Sequence, residues 1–219
     1  MKPIVIAGGV AAGMSAASVI KRSMPDQEVI VFGKEQHISY GACGMPYFIG
    51  GEIESYEKLS VLSPEKAREK RGIDVRTAHE VTGIDRESKL VEVTDLASEE
   101  TLHQEYEKLI LATGARAVMP PIPGVELDGV LPLKELEDSV RLDGYLDSRK
   151  PERAVIVGGG YIGIEAAEAF RHRGMEVTVV EALPRILNIV DEDLSDLATK
   201  ELERNDVTVR TGERVAAIE

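Results

Sequence analysis

The stretch RAVIVGGGYIGIEAAEAFRHRGMEVTVVE, Arg153 to Glu181, decides the fold. A short apolar run, AVIV, leads straight into three glycines, then into a segment rich in small residues, then into a second apolar run that ends in an acid. Gly158, Gly160 and Gly163 match GxGxxG. The first glycine allows the tight turn out of the strand, the second lets backbone approach a pyrophosphate, and the third lets the helix pack on the strand. The helix N-terminus then faces the anion. Glu181 lies 18 residues beyond Gly163, where a carboxylate accepts hydrogen bonds from ribose hydroxyls and repels a 2′-phosphate. The unit is therefore expected to take NADH rather than NADPH. The bland alternative is three glycines that merely close a turn; strand, spacing and acid together speak against it.

Working outward, the N-terminus repeats the plan less regularly. Residues 2–7 read as an apolar strand, GGVAAG as a turn, Met14 to Arg22 as a helix and residues 28–32 as a second strand. Gly8 and Gly13 hold the outer positions, Val10 stands in the middle one, and the strand end where an acid is expected carries Gly33, with Glu35 two residues later. Two such units suggest two dinucleotides, FAD at the first and NADH at the second.

Between them, Ser63 and Pro64 mark the start of a helix through Arg71, and HEVTGIDR and KLVEV read as strands around a turn. DLASEETLHQEYEK reads as a solvated hairpin loop, YEKLILATGA as a buried strand, PPIPG as a rigid crossing and LKELEDSVRLDGYLDS as a surface helix. The fold class is α/β, with two Rossmann-like FAD/NAD(P)-binding domains of the three-layer type, residues 1–115 and 116–219. The second is incomplete.

Composition narrows the function classes. The chain has 219 residues, 43% of them apolar, with 39 acidic side chains against 26 basic and a net charge of −13. That balance disfavours nucleic acid and anionic membrane as partners. The N-terminal run IVIA is too short for a secretory signal core, and no run of 18 apolar residues suggests a membrane span. One cysteine cannot form a disulfide within the chain and points to the reducing cytoplasm. The four histidines are scattered without ligand spacing, so no metal site is expected.

That cysteine, Cys43, sits in SYGACGMPY, Ser39 to Tyr47. It is either a small buried hydrophobe or a reactive thiolate. A helix beginning just after it would set amide dipoles beside the sulfur. GGVAAG, SYGACGMPY, LILATGA before a proline-rich crossing, and GGGYIGIEAAE with Glu181 together resemble the pyridine nucleotide-disulfide oxidoreductases. The single-cysteine branch fits best: coenzyme A-disulfide reductases, NADH oxidases and peroxidases, and persulfide or polysulfide reductases. The resemblance covers essentially the whole chain, and coenzyme A-disulfide reductases tolerate valine at the position of Val10.

The resemblance implies roles. Gly8, Val10 and Gly13 would lie against the FAD pyrophosphate, Val81 near the adenine by backbone contact, and Thr113 with Gly114 beside the flavin half. Gly158, Gly160, Gly163 and Glu181 would hold NADH, with Tyr161 as an aromatic lid over the flavin ring; an ordinary helix-start aromatic is the competing reading. Ser15, Arg22, Ser39 and Arg71 match positions that contact coenzyme A, although Arg22 and Arg71 could equally be surface charges. Gly33 departs from the family's ribose-binding glutamate, and Val19 and Ala42 stand where those reductases often carry polar groups.

The implied chemistry passes electrons from NADH through flavin and Cys43 to a small thiol-derived acceptor such as CoA disulfide or CoA persulfide. The alternatives are an NADH oxidase or peroxidase cycling Cys43 through sulfenic acid, and a nonenzymatic nucleotide-binding fragment. Family members also carry a C-terminal FAD-contacting segment and a dimerisation domain, so the chain reads as the N-terminal portion of a longer homodimeric enzyme.

Overall fold

A computed structural model describes residues 2–219. In chain order the elements are β1 (Ile4–Ala7), α1 (Ala11–Ser23), β2 (Val29–Phe32), α2 (Met45–Ile49), α3 (Pro64–Arg71), β3 (Asp74–Arg76), β4 (His79–Asp85), β5 (Leu90–Asp95), β6 (Thr101–Glu105) and β7 (Lys108–Leu111). They continue with α4 (Leu136–Arg149), β8 (Arg153–Val157), α5 (Tyr161–His172), β9 (Glu176–Glu181), α6 (Glu192–Arg204) and β10 (Val207–Thr211). Contacts divide the chain into two units. The first holds residues up to Gly41 with Leu59–Arg116, the second Ala42–Lys58 with Ala117–Glu219.

The first unit is built on a parallel sheet of order β3-β2-β1-β7. Its central strands, IVIA and VIVF, are apolar throughout and buried at every position, as a sheet covered on both faces requires. On one face Met14 and Ala17 of α1 and Ala67 of α3 pack against Ile6, Val29, Val31 and Val75. On the other, Val5, Ile30 and Phe32 meet Val91, Val93 and Tyr106, which belong to or flank an antiparallel sheet of order β4-β5-β6. Helices, parallel sheet and antiparallel sheet make three layers, the fold class expected.

Two local expectations change. The helix after the first glycine turn begins at Ala11, not Met14, so the turn is shorter than GGVAAG suggests. Residues 101–105, expected in a solvated loop, form β6: they pair with β5, and Leu102 turns inward against the core while Thr101, His103 and Glu105 stay exposed. One inward apolar residue among polar ones left too faint a period to read.

In the second unit a parallel sheet of order β10-β9-β8 carries α5 on β8 and β9 and α6 on β10. The opposite face leaves Val155 66% and Val157 55% exposed. The segment expected as a surface helix is α4, which buries Leu136, Leu142 and Leu146 and starts in a capping box between Glu135 and Asp138. Helix α2 packs on α4 and α5.

Candidate functional site

Among the longer helices of the described residues, α1 and α5 begin with neither a side-chain cap nor a first-turn acid. Neither Val10 before α1 nor Gly160 before α5 offers a side chain to the first-turn amides, and neither first turn contains an acid. The other long helices differ: α3 is capped by Ser63, α4 by its capping box, and α6 opens with Glu192 and Asp193. Free first-turn N–H groups at the positive end of the macrodipole form an anion seat. The glycines keep those seats compact. A Cβ on Gly13 would lie 1.8 Å from the Gly8 carbonyl oxygen, and one on Gly163 would lie 2.1 Å from that of Gly158, so helix and turn touch in both units. At Gly160 a Cβ would meet nothing within 4 Å, which leaves the backbone open to a ligand.

The first unit's turn sits where the strand order reverses, between β1 and β7, the position at which parallel α/β sheets bind nucleotides. Gly8, Val10 and Gly13 line its β1 side. Thr113 and Gly114 follow directly on the end of β7, and a Cβ on Gly8 would lie 2.1 Å from the Ala112 carbonyl oxygen, so the two strand ends are in contact. Val81 lies on β4, which leaves the end of β2 through a bond from the His79 N–H to the Gly33 carbonyl (2.9 Å); its side chain packs into the core, leaving only backbone for a ligand. In the second unit Glu181 ends β9 beside the glycine turn. Its carboxylate accepts the Gly159 N–H at 2.7 Å and the Leu183 N–H at 2.8 Å.

Ser15, Arg22, Ser39 and Arg71 come together in the first unit around one cavity of about 380 Å³. Ser15 and Arg22 project from the face of α1 opposite its buried residues, Arg71 ends α3, and Ser39 enters the wall with φ 48°, a left-handed conformation uncommon outside glycine. The end of α3 is fixed in turn. Arg68 and Arg76 both bind Asp74. Burial raises the Asp74 pKa, but those hydrogen bonds outweigh it and hold the carboxyl below the usual range. Ser18 and Val61 are among the residues of the cavity that were not anticipated. Ser18 accepts a hydrogen bond from Arg71 Nη1 at 2.8 Å, and Val61 stands 74% exposed at the wall. Ser18 was readable as the member of the 15, 18, 22 helical series between two named residues; Val61 carried no signal.

Cys43 is exposed, in a single 3-10 turn, Ala42–Gly44, immediately before α2. Among the described residues the thiol is therefore not buried. Its helix is clamped from behind within the second unit: Arg173, at the end of α5, donates from Nε to the Ile49 carbonyl at 2.6 Å and pairs with Asp143 and Asp147 of α4. Tyr161 opens α5 and is 61% exposed, unlike an aromatic recruited for packing.

Comparison with known proteins agrees with this geometry. The family model described as pyridine nucleotide-disulphide oxidoreductase matches residues 2–219. An NADH oxidase of Methanocaldococcus jannaschii is 35% identical over 95% of this chain and 46% of its own length. A coenzyme A disulfide reductase of Staphylococcus haemolyticus is 31% identical over 100% of this chain and 49% of its own. The solved structure of an NAD-dependent persulfide reductase from A. fulgidus superposes with a TM-score of 0.94 at 34% identity, covering 99% of this chain and 41% of that one. The chain thus spans about half the length of the curated relatives it matches. With its paired glycine turns, its cysteine turn and a match over nearly every residue, the chain belongs to the pyridine nucleotide-disulphide oxidoreductase family.

Proposed function

We propose that the full-length protein is a flavoenzyme that uses NADH to reduce a coenzyme A-derived disulfide or persulfide through Cys43. The observation that carries this reading is the cavity of Arg22, Arg71, Ser15 and Ser39, which gathers cationic and hydroxyl groups on a chain of net charge −13. Cys43 follows the cavity's Ser39 by four residues along the chain. Such a cavity suits the phosphates of a nucleotide-bearing acceptor, and relatives named for coenzyme A disulfide and persulfide support that class.

The uncapped start of α1, with Gly8, Val10 and Gly13, fits the pyrophosphate of FAD. Thr113 and Gly114 would flank its flavin half, and the backbone of Val81 its adenine. The start of α5, with Gly158, Gly160 and Gly163, fits that of NADH, whose ribose Glu181 would receive, and Tyr161 would serve as the aromatic lid of the flavin ring. When bound, the flavin supplies two electrons taken as hydride from NADH. The chain's own part is sulfur chemistry. The Cys43 thiolate would attack one sulfur of the acceptor and expel the other as a thiolate, forming a mixed disulfide from a disulfide or a cysteine persulfide from the outer sulfur of a persulfide; two electrons then cleave the new S–S bond, releasing the held sulfur as thiol or hydrosulfide and returning the Cys43 thiolate. A single cysteine in these residues is in keeping with a reducing compartment, and the family resemblance supports a cytoplasmic homodimer as part of this reading.

The test is Cys43→Ser in the full-length protein. Turnover of NADH with CoA disulfide or CoA persulfide should fall by about a hundredfold or more, while reduction of a dye that takes electrons from flavin directly should persist. Turnover restricted to oxygen or peroxide would turn the assignment to the oxidase reading. Full turnover by the serine variant would make the thiol structural, and absence of NADH turnover with every acceptor would leave a nucleotide-binding protein without catalysis.

A further inference from the structure

The two glycine turns agree nearly atom for atom beyond their glycines. The Gly8 N–H donates to the Phe32 carbonyl at 2.7 Å, and the Gly158 N–H to that of Val180 at 2.9 Å. A Cβ on Gly9 would meet Ile38 Cγ2 at 3.0 Å, and one on Gly159 would meet Ile186 Cγ2 at 2.5 Å. Both isoleucines are buried. The next residue, Ser39 in one unit and Leu187 in the other, is left-handed in both, with φ 48° and 46°. It donates its N–H to the Gly9 carbonyl at 3.2 Å in the first unit and to the Gly159 carbonyl at 2.8 Å in the second. Counting back five residues from each isoleucine gives Gly33 and Glu181.

At that shared position the units part. Glu181 accepts the N–H groups of Gly159 and Leu183; the Gly9 N–H, counterpart of the first of these, faces Gly33, which has no side chain. Backbone geometry does not demand the glycine. Gly33 is not in the left-handed region, and a Cβ there would make ordinary contacts, 3.6 Å to the Cα and N of Gly9 and 4.0 Å to the Arg76 carbonyl oxygen. Neighbouring acids are engaged elsewhere: Glu35 accepts from the Tyr40 hydroxyl at 2.6 Å, and Glu80 pairs with Lys34 at 3.0 Å.

We infer that the first unit retains a carboxylate seat at the ribose end of its nucleotide site without the carboxylate, and that the protein consequently holds the adenosine half of FAD weakly and its flavin exchangeably. The inference rests on the reading of this unit as the flavin site. A dinucleotide there is fixed by its pyrophosphate on the start of α1, with no anion to receive the ribose hydroxyls. Restoring one should tighten binding by a charge-assisted hydrogen bond or two, about tenfold or more in Kd.

The experiment uses full-length protein stripped of flavin, as wild type, Gly33→Glu and Gly33→Ala, titrated separately with FAD and with FMN, which lacks the adenosine. Flavin retained through gel filtration gives a second readout. Gly33→Glu should bind FAD at least about tenfold more tightly than wild type and retain more of it. Its affinity for FMN should be unchanged, and Gly33→Ala should gain nothing. Equal FAD affinity in wild type and Gly33→Glu would overturn the inference, as would a gain shared by FMN or by the alanine variant; in each case the flavin reading itself survives. A Gly33→Glu protein that loses FAD while Gly33→Ala keeps it would also overturn it, by showing that the seat does not accept the carboxylate. Wild type that binds neither flavin would instead remove the flavin reading, and this inference with it.

Discussion

Glu181 holds the N–H groups of Gly159 and Leu183, and under the proposed function the same carboxylate would also receive a nucleotide ribose. Arginine at this position would bring the charge that a 2′-phosphate needs, yet remove both acceptors and loosen the turn it was meant to retune. Glutamine is the cleaner probe, because it removes the repulsive charge while keeping one of the two acceptors. In the full-length enzyme Glu181→Gln should raise kcat/KM for NADPH relative to NADH by about tenfold, at a stability cost of about 1 kcal/mol for the acceptor lost. Glu181→Arg should cost more in melting temperature than it gains in selectivity. Parallel kinetics and thermal melts decide the matter; wild type that uses NADPH as well as NADH would remove the carboxylate from cofactor choice. The role proposed for Glu181 toward the ribose comes from spacing alone, because strand, turn and acid all lie within 29 residues. The carboxylate's grip on Gly159 was not legible in the sequence, since a backbone acceptor leaves no mark on residue type.

At the scale of elements, what the sequence displays is local and what it conceals is the pairing of distant pieces. The paired strand, glycine turn and helix units were readable from period and sterics. The bond from Arg71 to Ser18 spans 53 residues and the one from Arg173 to Ile49 spans 124, and no motif announces either. The second matters more for the cysteine. Helix α2 is only five residues long, too short to hold itself, and Gly50 at its end packs so closely that a Cβ there would lie 3.4 Å from Ala169 Cα. Arg173 supplies what the helix lacks by binding its last carbonyl while bracing against Asp143 and Asp147. Lysine cannot reproduce a planar fork with three partners. Arg173→Lys and Arg173→Ala should both free the segment 42–58. The expected signs are severalfold faster alkylation of Cys43 and earlier proteolysis within that segment, with secondary structure elsewhere retained. Unchanged alkylation in the alanine variant would mean that packing on α4 and α5 holds α2 without the guanidinium.

At the scale of the whole molecule the two units are built alike on their helical faces and unlike on the other. In the first, Val5, Ile30 and Phe32 of the parallel sheet are sealed by Val91, Val93 and Tyr106. In the second, Val155 and Val157 stand mostly exposed on a strand that, among the described residues, pairs with β9 alone. Alternate apolar side chains on one face of a strand form a contiguous patch, and an exposed patch beside an open strand edge is a template for association. The net charge of −13 opposes self-association, but only over about a Debye length of 8 Å at physiological salt, and less as salt rises. The 219-residue chain, expressed by itself, should therefore bind a hydrophobic dye strongly and self-associate increasingly with added salt. Val155→Thr with Val157→Thr preserves the β-branched shape while wetting the face, so it should lower dye fluorescence and shift sedimentation toward monomer at an unchanged melting temperature. If the double variant associates as strongly as wild type, the patch does not drive assembly, and the exposed leucines of α6, Leu194 and Leu197, become the surface to substitute next.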